Sequence, residues 1–520
     1  LNQAGYGCIS PLFNFFNLSF AFFILPLSQS KTATLYFFAK NMKKVKLLLL
    51  FCFVACLPSL CGQEKAEALK NLIHSFYETG HFSGNVIVAK EGKILYQEAI
   101  GLADREWDIE HDMEGKFIIG SLSKQFMGAL AMILHQEGKL DLDAKVLSFF
   151  PLFPNPEIAD KVTVHHLLSN TSGLPHYGAW EDFMEKYDRL PYSRSDLFEK
   201  FKGMELRFEP GTQHGYSSLG FLLLGFILEE AGGDELGNLL QEKIFQPSGM
   251  SHSSLDDHIT ILPKRVRAYR YNYQKARYDN ANYRDPSTTF AAGGGLTTAG
   301  DLLKWDRILA GNRLLSEASR KKLFTPVREN YAYGWRTALP GRTDSLEVQW
   351  HAGQVTGYLS MLARLPKEGY CIILLSNIRD MAYLDITNQI INILHDQPVE
   401  RPRRSLLKRL LEEIVEKNVE AAVSLYHRLR KNQRNAYTFS EVELLILGIE
   451  LNSEGMHREA LKMLELCLEE YPESGYLVNN WMLLGETHEV LGHRPQAIRC
   501  YEEVLKIDPD NEEAKRLLNR

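Results

Sequence analysis

Ser121-Leu122-Ser123-Lys124 places a hydroxyl and an amine three residues apart. On a helix that spacing puts both side chains on one face, within reach of each other. A serine hydroxyl is a weak nucleophile, and an amine whose pKa burial has lowered can take its proton. The chemistry would be attack on an ester or amide carbonyl with a covalent intermediate on Ser121. The spacing alone is common, since it recurs at Ser28/Lys31, Ser319/Lys322 and Ser405/Lys408. Context separates the four. Ser319 and Ser405 fall in charged helical stretches, where Ser405 reads as a helix cap. Ser121 instead follows the apolar Phe117-Ile118-Ile119-Gly120. It opens a helical stripe of Leu122, Phe126, Ala129, Leu130, Ile133 and Leu134 that stops near Gly138. A helix N-terminus also favours negative charge on the serine oxygen.

Two further elements belong with this pair. Tyr216-Ser217-Ser218 precedes an apolar helix, and His351-Ala352-Gly353 follows Trp350 on a strand. Taken singly, Tyr216 is an ordinary core tyrosine and His351 a satisfied surface histidine. Taken together, their order and spacing resemble the class C β-lactamase and penicillin-binding protein family of serine hydrolases, with its esterase and D-aminopeptidase members. Four stretches carry the same resemblance: Lys116 to Gly138, Val162 to Pro175, Ala292 to Asp301, and Tyr333-Gly334-Trp335. It covers roughly residues 65–395.

The resemblance implies that Ser121 forms an acyl-enzyme, that Lys124 with Tyr216 takes up and returns the proton, and that the backbone N–H groups of Ser121 and Gln354 form an oxyanion hole. Ser218 and His351 would contact substrate, and Gly353 would let substrate backbone lie close against its strand. Two residues depart from the family pattern. Ser218 replaces a common Asn, which puts recognition of a substrate amide in doubt. His351 replaces the lysine of true β-lactamases, and histidine is mostly neutral near pH 7. An esterase or peptidase is therefore expected over an efficient β-lactamase. Asn170 replaces a common histidine, and the sequence offers no physical reason for it.

The elements that must position these residues follow from periodicity. Residues 63–77 have helical spacing, and Gly84 to Ala89 and Lys93 to Ala99 read as a hairpin. A helix follows Tyr216, through Phe221–Leu228, and ends at Gly232-Gly233. Strand-like runs follow at Leu346–His351, Tyr358–Leu365 and Tyr370–Leu375, with a closing helix at Tyr383–Leu394. The expectation is one α+β domain with an antiparallel sheet flanked by helices, over residues 63–398. After the linker around Pro398–Pro402 the pattern is helical and repetitive. Trp481, Leu484, Gly485, His488, Gly492, Ala497, Tyr501 and Pro509 stand at tetratricopeptide-repeat spacings, with His488 at the usual aromatic site. Leu444, Leu447, Gly448, Leu451, Gly455, Ala460, Leu464 and Pro472 make an earlier copy. An all-α repeat region over 438–520 is expected, behind a linker and helical pair over 399–437.

Composition bounds the rest. The 520 residues are 45% hydrophobic and 24% charged, as in ordinary globular proteins, and the formal net charge of −6 argues against a nucleic-acid partner. Arg401 to Arg404, Lys408 and Arg409 read as a solvated linker and helix face. Met42, Lys43, Lys44 and Lys46 before Leu47–Leu57 have the form of a secretory signal over 42–62, with 1–41 a non-native upstream extension. Export to the periplasm or outer surface is expected. Cleavage would fall after Gly62; membrane attachment would follow only from lipidation at Cys56. Beyond that segment, Cys371 reads as core, and Cys467 and Cys500 as helix packing. No cofactor or metal is expected: His165-His166 lacks metal-ligand spacing, and Gly293-Gly294-Gly295 lacks a P-loop lysine. The expected activity is cleavage of an ester or amide, such as a D-amino-acid peptide, in a small-molecule or peptide substrate. The alternative is a weak or inactive hydrolase fold that binds a protein partner through its repeats.

Overall fold

The computed structural model describes residues 63–177 and 187–519. The expected upstream extension, the signal segment and Cys56 lie outside them. The domain around Ser121 is built on five antiparallel strands. These are β1 (Gly84–Lys90), β2 (Lys93–Ile100), β3 (Gln349–Val355), β4 (Tyr358–Leu365) and β5 (Tyr370–Ser376), in the spatial order β3-β4-β5-β1-β2. The chain's first hairpin thus inserts beside its last strand: Val86 pairs with Leu374 and Val88 with Ile372.

Both sheet faces are covered, which is why the central strands read as unbroken apolar runs. Val86, Val88, Met361, Ala363, Ile372 and Leu374 meet Leu69, Ile73 and Phe76 of the helix over 63–78, and Ile386 and Ile390 of the helix Tyr383–Leu394. The alternate residues Ile87, Ala89, Leu362, Cys371, Ile373 and Leu375 face the helical middle of the chain. Cys371 is fully buried there, and Cys467 and Cys500 are buried free thiols in the tail.

Most elements start and stop within a residue or two of their expected bounds; the strand before Tyr358 does not. It runs Gln349–Val355 instead of Leu346–His351. Its end is set by partners and not by propensity: Gly353 pairs with Ser360, Gln354 with Leu359 and Val355 with Tyr358. This strand is the sheet edge, and it lies beside the nucleophile.

The tail carries helices Leu406–Glu416 and Val419–Asn432, then the repeat helices Glu441–Ser453, His457–Glu470, Leu477–Val490 and Arg494–Ile507. The small residues do what the repeat pattern asks of them. A methyl on Gly448 would stand 2.5 Å from the Leu464 side chain, and one on Gly485 2.5 Å from the Tyr501 ring. Ser405 caps its helix by accepting from the Lys408 N–H.

The tail packs on the hydrolase-like part through the hairpin Tyr269–Asn272/Arg277–Asn280. Tyr271, Tyr273 and Ala276 pack into the first core cluster of the tail. Lys408 Nζ sits 2.5 Å from Asp380 and 4.8 Å above the Tyr271 ring, and Gln274 donates to the Glu454 carbonyl at 2.8 Å. A chain shortened to residue 400 uncovers this apolar patch, so its melting temperature should fall by several degrees in a calorimetric scan. An unchanged melting temperature would show that the junction adds nothing to stability.

Candidate active site

Ser121 lies in a 3-10 turn, Gly120–Ser123, and Lys124 is the first residue of the α-helix Lys124–Gln136. A 3-10 turn nearly eclipses residues i and i+3, so the amine comes under the hydroxyl. Lys124 Nζ is 3.1 Å from Ser121 Oγ, 3.3 Å from Ser218 Oγ and 2.6 Å from the Ala292 carbonyl. Lys124 is fully buried, and no carboxylate pairs with it among the described residues. Burial therefore pushes its pKa well below the usual lysine value. A neutral amine has two N–H bonds and one lone pair, and the three contacts match that count. The N–H bonds go to Ala292 and Ser218, which leaves the lone pair facing the Ser121 hydroxyl.

Tyr216 hydrogen-bonds the side chains of Ser121 and Ser218, and its ring lies 5.1 Å from Lys124 Nζ. Burial raises its pKa, so its resting form is the protonated phenol, a donor. Of the two groups expected to share the proton, Lys124 is thus the resting base, and Tyr216 can pass a proton on. Ser217 starts the helix Ser218–Gly232 by accepting from Gly220 N–H and donating to the Pro175 carbonyl. Asn170 now has an explanation. It holds a positive φ of 55°, which asparagine tolerates, and its Oδ1 accepts the Ser217 N–H at 3.0 Å.

The edge strand supplies the other wall. Trp350 exchanges both backbone hydrogen bonds with Arg336, away from β4. Strand alternation then turns the Gln354 N–H to that same side, next to Gly120, where an oxyanion donor belongs. A methyl on Gly120, whose φ is +54°, would stand 2.7 Å from the Gln354 nitrogen. Gly353 is also constrained from behind. A methyl on it would meet the Ile119 carbonyl at 1.8 Å and the Leu122 nitrogen at 2.8 Å. The nucleophile turn behind it is enough to require the glycine, which also lines the cleft.

His351 lies where its type alone would not place it. It is 3% exposed, not a surface residue, although it still lines the cleft. Its Nδ1 is 2.5 Å from the Ala352 carbonyl and its Nε2 is 3.2 Å from the Tyr331 hydroxyl. Burial lowers its pKa to about 3, so it is neutral and offers no cation to an anionic substrate. The residues missed in sequence include one that can: Arg336. Its guanidinium packs over the rings of Tyr216, Tyr331 and Trp350, and it pairs with no carboxylate among the described residues. The signal was its place directly after Tyr333-Gly334-Trp335. The Ala292 carbonyl was also missed, because a backbone oxygen leaves no mark in residue type. It sits just past Phe290, whose φ of 30° and ψ of −125° break the helix Pro286–Gly293. All seven candidate residues surround one cleft of about 800 Å³, with Lys124 beneath its floor.

Residues 69–393 match the family model described as Beta-lactamase. The chain belongs to the beta-lactamase family. This beta-lactamase-family chain also matches the Tetratricopeptide repeat model over residues 478–511. It is 28% identical to penicillin-binding protein 4* of Bacillus subtilis over 369 residues, covering 67% of this chain and 80% of that protein. Among solved structures it resembles the octameric penicillin-binding protein homologue from Pyrococcus abyssi, with a TM-score of 0.56 and 24% identity over 67% of this chain and 81% of that one. It also resembles the D-amino acid amidase from Ochrobactrum anthropi, with a TM-score of 0.55 and 21% identity over 64% and 99% of the two chains. As a family member it has a serine-hydrolase fold with a helical repeat tail.

Gly353→Ala tests the constraint from the turn. The added methyl must displace the turn that carries Ser121, and a shift of about 1 Å at a reacting atom costs roughly 100-fold in rate. Acylation of Ser121 should fall by about that much, measured as the rate of fluorophosphonate labelling on folded protein. A variant labelled at the wild-type rate would leave only the substrate explanation for this glycine.

Proposed function

We propose that this chain is an exported serine hydrolase that cleaves an ester or amide through an acyl-enzyme on Ser121. The observation that carries the reading is a buried amine, without a carboxylate partner among the described residues, 3.1 Å from the Ser121 hydroxyl. Ser121 Oγ attacks the carbonyl carbon while its proton moves to Lys124 Nζ. The N–H groups of Ser121 and Gln354 receive the charge that develops on the carbonyl oxygen. As the tetrahedral adduct collapses, the proton passes through Tyr216 to the leaving group. Water, deprotonated by the same lysine, then attacks the ester and frees Ser121. Export rests on the basic and apolar pattern over 42–62, and a protein partner at the repeats rests on their architecture.

Arg336 bears on the substrate. A guanidinium held among three rings, with no carboxylate beside it among the described residues, fits a carboxylate on the part of the substrate that leaves or lies across β3. A D-amino-acid peptide with a free C-terminus meets that requirement, and so does a β-lactam.

Intact mass after fluorophosphonate exposure tests the reading. One adduct is expected on the parent chain beginning at Gln63 and none on Ser121→Ala; absence from both would remove the hydrolase reading. The labelling rate should fall on acidification, because the attacking step needs unprotonated Lys124, whose pKa burial has lowered. Lys124→Arg, which cannot deprotonate, should lose labelling across the whole range. Arg336→Gln should raise KM for a carboxylate-bearing substrate by about 10- to 100-fold, the scale of a charged hydrogen bond. The methyl ester of that substrate should be affected far less. Equal effects on both would rule out Arg336 as the carboxylate partner.

A further inference from the structure

The chain carries a net charge of −6, yet its cleft is cationic: among the described residues Arg270, Arg284, Arg336 and Arg379 line it, against Asp188. Two of these arginines stand side by side. The Tyr269 N–H donates to the Asn377 carbonyl at 2.9 Å, and Tyr269 lies opposite Ile378 in a parallel bridge. That register sets Arg270 opposite Arg379, on backbones about 4.8 Å apart. Tyr269 and Ile378 are each 2% exposed, so alternation turns the next residue of each segment outward, and both arginines line the cleft. Neither makes an ion pair among the described residues. Asp279, across the hairpin from Arg270, bonds Asn272 and Arg277 instead. Asp380, next to Arg379, holds Lys408 at 2.5 Å. The Glu450 carboxylate of the tail is near enough to Arg379 to feel its charge, without pairing with it. Like charges directly opposite each other on neighbouring strands are destabilising, so this pair needs a counter-anion that the described residues do not supply.

The pair lies just past the end of β3. A methyl on Gly357 would stand 2.8 Å from the Tyr269 carbonyl oxygen, and Gly357 is the third residue after Gln354. Three residues span at most about 10 Å, and the Gln354 N–H is where the oxygen of the attacked carbonyl belongs. Arg336 lies at the other end, against Trp350, which is roughly 13 Å back along the strand from Gln354. Cations thus flank Ser121 on both sides, and the pair is too far from Arg336 for one small anion to serve all three. Two adjacent guanidiniums call for a single group with two charges. A phosphate monoester carries about −1.5 to −2 near pH 7 and offers three acceptor oxygens, whereas a carboxylate carries one charge. We infer that Arg270 and Arg379 form a second anion subsite, which holds a phosphoryl group of the substrate within about 10 Å of the scissile carbonyl. This deepens the reading of Ser121 as an acylated nucleophile and rests on it.

Three thioesters of one thiol test the inference: 6-(phosphonooxy)hexanoyl, 7-carboxyheptanoyl and 6-methoxyhexanoyl. Their chains are of equal length and end in a phosphoryl group, a carboxylate and an ether. The quantity read is the ratio of kcat/KM values between two of them, divided by the ratio of their alkaline hydrolysis rates. In the wild type the phosphoryl thioester should be favoured over the ether by about 10- to 100-fold, the scale of hydrogen bonds to a charged group, and over the carboxylate by several-fold. Arg270 and Arg379 are exposed side chains, so Arg270→Gln and Arg379→Gln leave the core untouched. Each should lower the phosphoryl-to-ether ratio by about 10-fold. A wild-type ratio of unity overturns the inference, as does a variant that keeps the wild-type ratio while slowing both substrates. A carboxylate thioester used as well as the phosphoryl one overturns the assignment to phosphate. Inorganic phosphate separates a substrate group from a free ion. It should compete with the phosphoryl thioester alone; if it speeds the ether thioester in the wild type but not in Arg270→Gln, the site takes a free effector and the inference falls. Fluorophosphonate labelling of the wild type distinguishes the two levels. Labelled protein without the phosphoryl preference, or one that turns over none of the three thioesters, sinks this inference alone; unlabelled protein sinks the hydrolase reading beneath it.

Discussion

Everything at the catalytic centre depends on two backbones meeting without side chains between them. The turn Gly120–Ser123 and the edge strand Gln349–Val355 approach so closely that each presents a glycine to the other. Gly353 lies under the Ile119 carbonyl, and Gly120 lies against the Gln354 nitrogen. Ser360 ties the contact from behind by donating to the same Ile119 carbonyl at 2.7 Å. This approach sets the distance from the serine oxygen to the strand amide that would stabilise an oxyanion. The 3-10 geometry of the turn then sets the distance from that oxygen to Lys124. The second wall of the nucleophile helix repeats the device. Gly334, at a φ of +78°, admits the Lys124 carbonyl where a methyl would be 2.3 Å away, and Gly128 admits the Tyr333 carbonyl at the same distance.

The chemistry follows from what that packing excludes. A lysine in an apolar interior is stable only if neutral or paired, and no carboxylate among the described residues reaches it. Its environment offers one carbonyl and two hydroxyls, and burial favours the neutral amine over the ammonium among them. The same desolvation acts oppositely on Tyr216, which stays protonated. Two neighbouring groups thus have their pKa values moved apart by a single cause, and a base and a proton carrier result.

The sequence was most informative where residue type is itself the constraint. The helix of Lys124, the hairpin beside it and the repeat helices are written in apolar periodicity and in small residues, so Gly448 and Gly485 reveal the close approach of paired helices. Ser121 and Lys124 were legible from residue type, spacing and context, whereas Tyr216 was legible only through the family resemblance. The edge strand was misplaced because Gly353 and Gln354 have little strand propensity and are held there by pairing with residues five to seven positions later. The Ala292 carbonyl was invisible because every residue has one. The burial of His351 and the turn packed against Gly353 were not legible: the sequence does not show what protein lies behind a small or polar residue.

The hairpin over 269–280 joins the two halves of the molecule through the pleat of a single strand. Arg270 faces the substrate cleft, while Tyr271, the next residue, enters the core of the repeat tail. The two environments are one peptide unit apart. Modular proteins usually exchange domains across linkers that few contacts span, and a tail can then be acquired, lost or replaced as a cassette. This tail is not such a cassette. A repeat array borrowed from another chain would have to reproduce the pocket for Tyr271 and the cation at Lys408, and any adjustment of the hairpin to suit it would be felt at Arg270. The catalytic and repeat segments are therefore bound to diverge together, and a change in what the cleft accepts should be accompanied by changes in the first helices of the tail.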